Sequence, residues 1–524
     1  MSATTYDAVI IGAGHNGLAA ALHLSAKGWS VAMFERSGHI GGCVATDEVT
    51  APGFRSDLAA ANLSLFAGSG FHAHYAEELA RHGFALAPAA RPFASAFPDG
   101  TWLGVSTDLD ATAAGIAALS QADADRWRAM VAAFPDEAQH IGGLLNTPMT
   151  RSALLKFLWR TWRAKGAAWM LDTARMLMSS SRAWLDREFE NDKLKAMMAS
   201  WGMHLDFAPE VAGGAIFPYL ESMANQCFGM VLGQGGADVM PRALAAAIRE
   251  RGGVIETGVA VEQVGHDGTR ATAVTLSDGR VIAARKAVIA GTTPAALVDL
   301  TGPTPDPRYD AQARAFAPAP GTMMIHLALD ALPDWSAGSE LQEFSYVHLA
   351  PSMAAMDLAY IQAKSGLLPT EPVLVVGQPT AVDPSRAPDG KHVLWVQVRM
   401  APMEIKGDAK GEIAATDWAQ AARPFADRVL DIIERYAPGL RGKIVAEHIM
   451  TPADLERWNP NLVGGDQIAG SHHISQNFLF RPVRGYADWS TPLKNLHLIG
   501  ASTWPGGGTG AGSGFMLAQD LAGK

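Results

Sequence analysis

Gly12-Ala13-Gly14-His15-Asn16-Gly17 carries three glycines at the spacing GxGxxG, and its flanks give that spacing a use. Ala8, Val9, Ile10 and Ile11 form a short apolar run, so Tyr6 to Ile11 reads as a buried strand. Leu18 to Lys27 reads as a helix closed by Gly28, and Ser30 to Phe34 as a second strand with Glu35 at its end. Gly12 permits a tight turn, Gly14 lets a pyrophosphate approach the backbone, and Gly17 lets helix and strand pack closely. A helix N-terminus offers free N–H groups and partial positive charge to phosphate. Ala13, His15 and Asn16 lie between the glycines and join them as expected ligand contacts. Glu35, 18 residues after Gly17, can accept both ribose hydroxyls. Its charge repels a 2′-phosphate, which leaves FAD or NAD as the ligand.

The next residues favour FAD. Arg36 is followed by Ser37-Gly38-His39-Ile40-Gly41-Gly42-Cys43-Val44. A second glycine pair so soon after the acid suits a longer dinucleotide, whose flavin half a further stretch of backbone must approach. The C-terminus supplies a matching unit. Asn495 to Ile499 reads as a strand, Gly500-Ala501-Ser502-Thr503 as a turn, and Gly512 to Leu521 as a helix. Trp504-Pro505-Gly506-Gly507-Gly508-Thr509-Gly510-Ala511 lies between. A second helix N-terminus there would stabilise negative charge near N1 of a reduced flavin. Arg36, Gly41, Gly42, Cys43, Val44, Gly500, Ala501, Ala511 and Gly512 are therefore expected cofactor contacts.

Composition narrows the class. A chain of 524 residues exceeds one core and should form two or three domains. Net charge is −10 without a basic arm, which disfavours nucleic acid as a partner. Two cysteines, Cys43 and Cys227, make neither a disulfide framework nor a CxxC pair. Met1 to Asp7 is short and polar, unlike a signal peptide, and no run of about 18 uncharged apolar residues occurs. A cytoplasmic protein is expected, with peripheral membrane contact open.

The order of elements gives an α/β fold. A Rossmann-type FAD-binding domain is assembled from residues 1–108, 231–302 and 488–524. Residues 109–230 form a helical part, and 303–487 a sheet-and-helix part, of a mixed substrate domain. Val254 to Glu256, Val259 to Val264 and Lys286 to Ala290 read as strands of a meander, with turns at His266-Asp267-Gly268 and Ser277-Asp278-Gly279. Ser120 with Asp123 reads as a helix start. Thr322 to Leu329, Val373 to Gly377 and Val393 to Val398 read as strands, and Trp418 to Tyr436 as a helix.

The chain resembles the phytoene-dehydrogenase-related flavoproteins. That group includes carotenoid desaturases and isomerases, retinol saturase and mitochondrial relatives. The resemblance rests on Gly12 to Gly17, Glu35, Gly41-Gly42, Pro52-Gly53-Phe54, Gly233-Gln234-Gly235-Gly236, Gln476-Asn477-Phe478, Arg481-Pro482 and Leu496 to Gly512. It implies that the backbone of Val261 meets the adenine and that the mixed domain roofs the flavin. Cys43 stands where many relatives have arginine or a small residue, and Trp504 where relatives often have histidine.

Flavin accepts the hydride itself, so the protein need show no catalytic triad, and none is visible. His472 and His473 lie in the segment leading back to the cofactor and are candidate general bases, with hydrogen-bonded structure as the plainer alternative. Arg481 and Trp504 complete the candidate catalytic set, with Trp504 expected on the substrate side of the flavin. Cys43 is read as a small buried residue near the pyrophosphate rather than a covalent anchor. No ligand cluster suits a metal. Arg151 to Met178 mixes tryptophan, leucine and basic residues; it is expected to pack its apolar face on the domain, the alternative being an anionic membrane surface.

The leading function is an FAD-dependent oxidoreductase acting on a hydrophobic, isoprenoid or lipid-like substrate by desaturation, saturation or isomerisation at C–C bonds. An FAD-dependent amine or alcohol oxidase is the alternative, and a non-catalytic lipid-binding protein a third reading that the intact cofactor motifs oppose. Nothing in the residues names an electron acceptor.

Overall fold

The run Ala8–Ile11 lacks polar alternation because both of its faces are covered. It belongs to the strand Thr4–Ile11 at the centre of a seven-stranded sheet in the computed structural model, which describes residues 4–523. Met1 to Ala3, the beginning of the polar start, and Lys524 lie outside the described residues. Thr4–Ile11 pairs in parallel with Val281–Ala290 on one side and Val31–Glu35 on the other, and Val31–Glu35 pairs with Val254–Thr257. Val254–Thr257 is thus a fourth parallel strand and not part of the meander. The meander proper is Val261–His266, Ala271–Leu276 and Val281–Ala290, all antiparallel. The far end of Val281–Ala290 takes Leu496–Leu498 as a parallel neighbour, so the two ends of the chain share one sheet.

Period-two alternation sends Ala8, Ile10, Val31, Met33 and Ile289 to one face, beneath the helices His15–Ala26, Val239–Glu250 and Gly512–Ala522. Val9, Ile11, Ala32, Phe34 and Val288 face the other way, against Val264, Val274 and Leu297. A parallel sheet covered on both faces is the expected consequence of such runs.

The second sheet has the order Ile444–Met450, Gly321–Leu329, His392–Ala401, Val373–Gly377, Tyr346–Leu349, Phe93–Ala96, Trp102–Val105. All pairs are antiparallel except Tyr346–Leu349 with Phe93–Ala96. The hairpin at 93–105 therefore departs from the expected grouping of residues 1–108. Ser95 is buried, Phe93 packs into one core, and Ala94 and Ala96 into another. Such a hairpin needs a sheet that can cover both faces. Residues 109–230 supply helices, including Gln121–Leu145 with Ser120 as its N-cap.

The helix Arg151–Met178 corrects another expectation. Only Thr161 is buried, while Trp159 and Trp162 are 56% and 52% exposed. Leu155, Leu158, Trp159 and Trp162 face outward, while Leu154, Phe157, Met176 and Leu177 are half-buried on the inner side.

Three separate segments meet at Arg386, whose side chain is fully buried. The guanidinium donates to Asp57 Oδ2 at 2.6 Å, to the Gly233 carbonyl at 2.7 Å and to Asp383 Oδ2 at 3.3 Å. Burial opposes its charge, but Asp57 and Asp383 more than offset that, holding its pKa above the usual arginine value. Asp57 Oδ1 accepts from Ala237 N–H at 2.8 Å and Thr46 Oγ1 at 2.6 Å, and its carbonyl accepts from Trp395 Nε1 at 2.8 Å. Arg386→Met should lower stability by roughly 3–5 kcal/mol, because it strands a buried carboxylate. The double variant Arg386→Met/Asp57→Asn should melt higher than the single one in calorimetry. Equal melting of parent and single variant would show that the pair does not hold the segments.

Candidate functional site

The helix His15–Ala26 begins beside a strand end. Its N-cap is Gly14, in an extended conformation, with no side chain capping the first N–H groups. A Cβ placed on Gly14 would meet nothing within 4 Å, whereas one on Gly17 would lie 2.8 Å from the Gly12 carbonyl oxygen. The two glycines therefore do different work: Gly14 borders open space and Gly17 permits close packing. Glu35 closes the loop. Its Oε2 accepts from Ala13 N–H at 2.8 Å and its Oε1 from Ser37 N–H at 2.9 Å. Each carboxylate oxygen keeps a lone pair for a hydroxyl. Arg36 beside it is exposed.

The second glycine pair lies directly on the first loop. Gly41 N–H donates to the Ala13 carbonyl at 2.8 Å, and a Cβ on Gly42 would sit 3.3 Å from Gly14 Cα. Val44 is fully buried, and its N–H donates to the Gly41 carbonyl at 3.1 Å. Burial pushes the Cys43 thiol up to about 12 despite the Asn459 amide, which donates to Sγ at 3.4 Å. A thiol so protonated is a poor nucleophile. Val261 starts an antiparallel strand at the sheet edge, partly exposed.

The C-terminal turn meets the same place. Asn16 Oδ1 accepts from Gly514 N–H at 3.2 Å, and any side chain at Gly514 would collide with the Asn16 carbonyl. Burial holds His15 down at about 4, although the Gly508 and Gly510 backbone accept from it. Ala511 is the uncapped N-cap of the helix Gly512–Ala522, and Gly500 N–H donates to Ser513 Oγ at 3.1 Å. Ala501 offers its carbonyl to Arg481 at 2.7 Å. Two uncapped helix N-termini thus converge beside an open glycine loop and a ribose-ready carboxylate, a donor set that fits the diphosphate and ADP half of FAD.

The four candidate catalytic residues fare differently. His472 is buried, and its Nε2 accepts from Gly507 N–H at 2.9 Å. Burial first, and the charge of Arg481, hold it well below the usual histidine range. It is neutral with its proton on Nδ1, and the lone pair a base would use is engaged. His473 turns the other way: its Nε2 lies 2.8 Å from the Asp206 carbonyl and 3.4 Å from Tyr360 Oη. Arg481 is fully buried and donates to the carbonyls of Ser471, Ala469, Gly470 and Ala501. It clamps two loops together and is a positioning residue, in place of the catalytic one expected. Trp504 is buried, donates from Nε1 to the Thr147 carbonyl at 3.0 Å, and lies 5.3 Å from Phe478, ring to ring. Its edge is therefore spent on the helical block.

Sequence reasoning missed several residues here. Asn461 donates to the Gly291 carbonyl at 2.9 Å and accepts from Thr293 N–H at 3.1 Å, bracing the loop opposite Gly12. Asp466 accepts from the N–H groups of Ala319, Ile468 and Gly470. Glu221 is the sole charged residue in the helix Ile216–Phe228, a signal that was legible. Its carboxyl has no hydrogen-bond partner among the described residues, and burial raises it to about 7.

Glu35→Ala should weaken FAD affinity while leaving the spectrum of the retained flavin unchanged, since a carboxylate at this position serves the ribose and not the flavin ring. Titration of apoprotein with FAD checks this; equal affinities would place another residue on the ribose.

Comparison with known proteins agrees with this geometry. Residues 17–507 match the family model for flavin containing amine oxidoreductase. The chain is 30% identical to pyridine nucleotide-disulfide oxidoreductase domain-containing protein 2 of Mus musculus, over 98% of this chain and 93% of that one. It is 26% identical to phytoene dehydrogenase of Streptomyces griseus, over 98% and 95%. Among solved structures, putrescine oxidase with bound putrescine superposes with a TM-score of 0.62 at 16% identity, over 99% of this chain and 98% of the other. The chain belongs to the flavin-containing amine oxidoreductase family and is an FAD-dependent oxidoreductase related to phytoene dehydrogenases.

Proposed function

We propose that this enzyme exchanges hydride between FAD and a hydrophobic, isoprenoid or lipid-like substrate at C–C bonds, in desaturation, saturation or isomerisation. In this reading Gly12, Gly14 and Gly17 with Glu35 hold the ADP half, and Gly41-Gly42, Gly500, Ala501, Ala511 and Gly512 the flavin half. Bound FAD supplies a hydride acceptor at N5.

The observation that carries the reading is the apolar meeting of the domains. Ala45, Leu58 and Ala61 from the cofactor side share one buried cluster with Met324, Met400, Met450, Tyr346 and Trp395 from the second sheet. Methionine adapts its shape to slender apolar ligands, and such a wall excludes water. The relatedness to a phytoene dehydrogenase supports the same substrate class. Disulfide chemistry, present in a relative's name, finds no support: both cysteines are free and both thiols are raised by burial. Removing a hydride from one carbon requires a proton to leave its neighbour. We assign that proton to Glu221, on the helix Ile216–Phe228, whose Ile216, Tyr219 and Met223 pack into the same cluster.

Glu221 also favours a second reading, as an amine oxidase, because a partly buried carboxyl with no partner among the described residues would receive an ammonium group. Anaerobic mixing with polyene, lipid, amine and alcohol panels separates the two. Flavin bleaching by apolar polyenes supports the first reading, and bleaching by amines alone supports the second.

Glu221→Gln gives a further check. The folded carboxyl titrates at about 7, above its ordinary 4.5. Its stabilising protonation is complete below the unfolded value and is lost as pH rises through 7. Glu221→Gln should therefore melt like the parent at acid pH and higher than the parent at alkaline pH. A melting difference that does not change with pH would show that the carboxyl is well solvated.

A further inference from the structure

The helix Arg151–Met178 breaks at Gly166, whose φ of 78° separates two straight segments. In the first segment Leu155, Leu158, Trp159 and Trp162 stand at i, i+3, i+4 and i+7, so they share one face. All four are exposed, Leu155 by 67%. Beside this stripe Lys156, Arg160 and Arg163 stand at i, i+4 and i+7, also exposed. In the second segment Ala167, Leu171, Ala174 and Met178 continue an outward apolar line, with Leu171 71% exposed. The inner side is held by half-buried Leu154 and Phe157, by buried Thr161, and by Lys165 paired with Asp136.

Charge identifies what this face meets. Residues 151–178 hold six Lys and Arg side chains against one acid, Asp172, while the whole chain carries −10. No ion pair among the described residues engages Lys156, Arg160 or Arg163, although the Arg163 guanidinium lies 5.3 Å from the Trp159 ring centre. A second copy packed symmetrically here would bring two basic stripes together. Nucleic acid would satisfy the cations and leave the tryptophans in water. An anionic bilayer satisfies both: acyl chains take the apolar stripe, lipid phosphates take the cations, and tryptophan prefers that boundary. No helix among the described residues is long and apolar enough to cross a membrane, so the contact is peripheral.

We propose that Arg151–Met178 is an interfacial helix that docks the enzyme on an anionic lipid surface through Leu155, Leu158, Trp159 and Trp162, flanked by Lys156, Arg160 and Arg163. This inference is independent of the substrate reading, since it needs no turnover.

Co-sedimentation of the flavin-loaded protein with phosphatidylcholine vesicles, with and without phosphatidylglycerol, tests it. Binding should require phosphatidylglycerol, shift tryptophan emission to the blue and weaken at high salt. Lys156→Gln/Arg160→Gln/Arg163→Gln should weaken binding by ~100-fold, at the usual contribution of each cation near an anionic surface. Trp159→Ala/Trp162→Ala should abolish the emission shift and most of the binding while the flavin spectrum and melting stay those of the parent. The proposal is overturned if the parent ignores anionic vesicles at low salt. It is equally overturned if the parent is a dimer that the tryptophan substitutions dissociate, because a second copy would then occupy the stripe.

Discussion

A single buried guanidinium holds the two halves of the molecule in register. Arg386 comes from the second domain, yet two of its partners, Asp57 and the Gly233 carbonyl, come from the cofactor domain. A charge taken out of water is costly, and the cost is offset only where the partners are correctly placed. The domains therefore cannot slide on each other without exposing an unsatisfied ion. Asp57 extends the constraint: through Thr46, Ala237 and Trp395 it fixes the short strand Thr46–Asp47, the turn at Gly233–Gly236 and the second sheet.

The cofactor loop depends on a second constraint, the meeting of two helix N-termini. Each carries partial positive charge, and their approach at Asn16 and Gly514 is favourable chiefly when an anion lies between or beside them. His15, at the head of the first helix, is held neutral by burial. The diphosphate is thus expected to be a structural element of the folded enzyme as well as part of its cofactor.

Burial drives several interior groups toward neutrality, whereas Arg386 keeps its charge through its carboxylate partners. The Cys43 thiol, the His472 imidazole and, near pH 7, much of the Glu221 carboxyl population are uncharged. Glu221, raised to about 7, can still exchange a proton near neutral pH. The outer surface is built on the opposite plan. Along Arg151–Met178, apolar and cationic side chains both face outward, an arrangement suited to a boundary between lipid and water.

The sequence alone determined the cofactor loop, because its requirements are local. Gly12 to Glu35 is one continuous stretch in which turn, helix start, close packing and ribose carboxylate follow from residue type and spacing. Thr4–Ile11 and Val31–Glu35 were legible as strands from their apolar runs, and Trp418–Tyr436 as a helix from its periodicity, whereas nothing local marked Val254–Thr257 as a parallel strand. Tertiary structure decided what depends on partners far along the chain. Phe93–Ala96 chose Tyr346–Leu349 over the first sheet, a register that no local pattern encodes. Arg481 looked like site chemistry until four backbone carbonyls claimed its donors. His472 and His473, adjacent in sequence, face different partners. The stripe of Arg151–Met178 reads the same whether it is buried or exposed, since periodicity records that a face is apolar and not what covers it. Only the packed chain shows that Leu155, Leu158, Trp159 and Trp162 stay exposed.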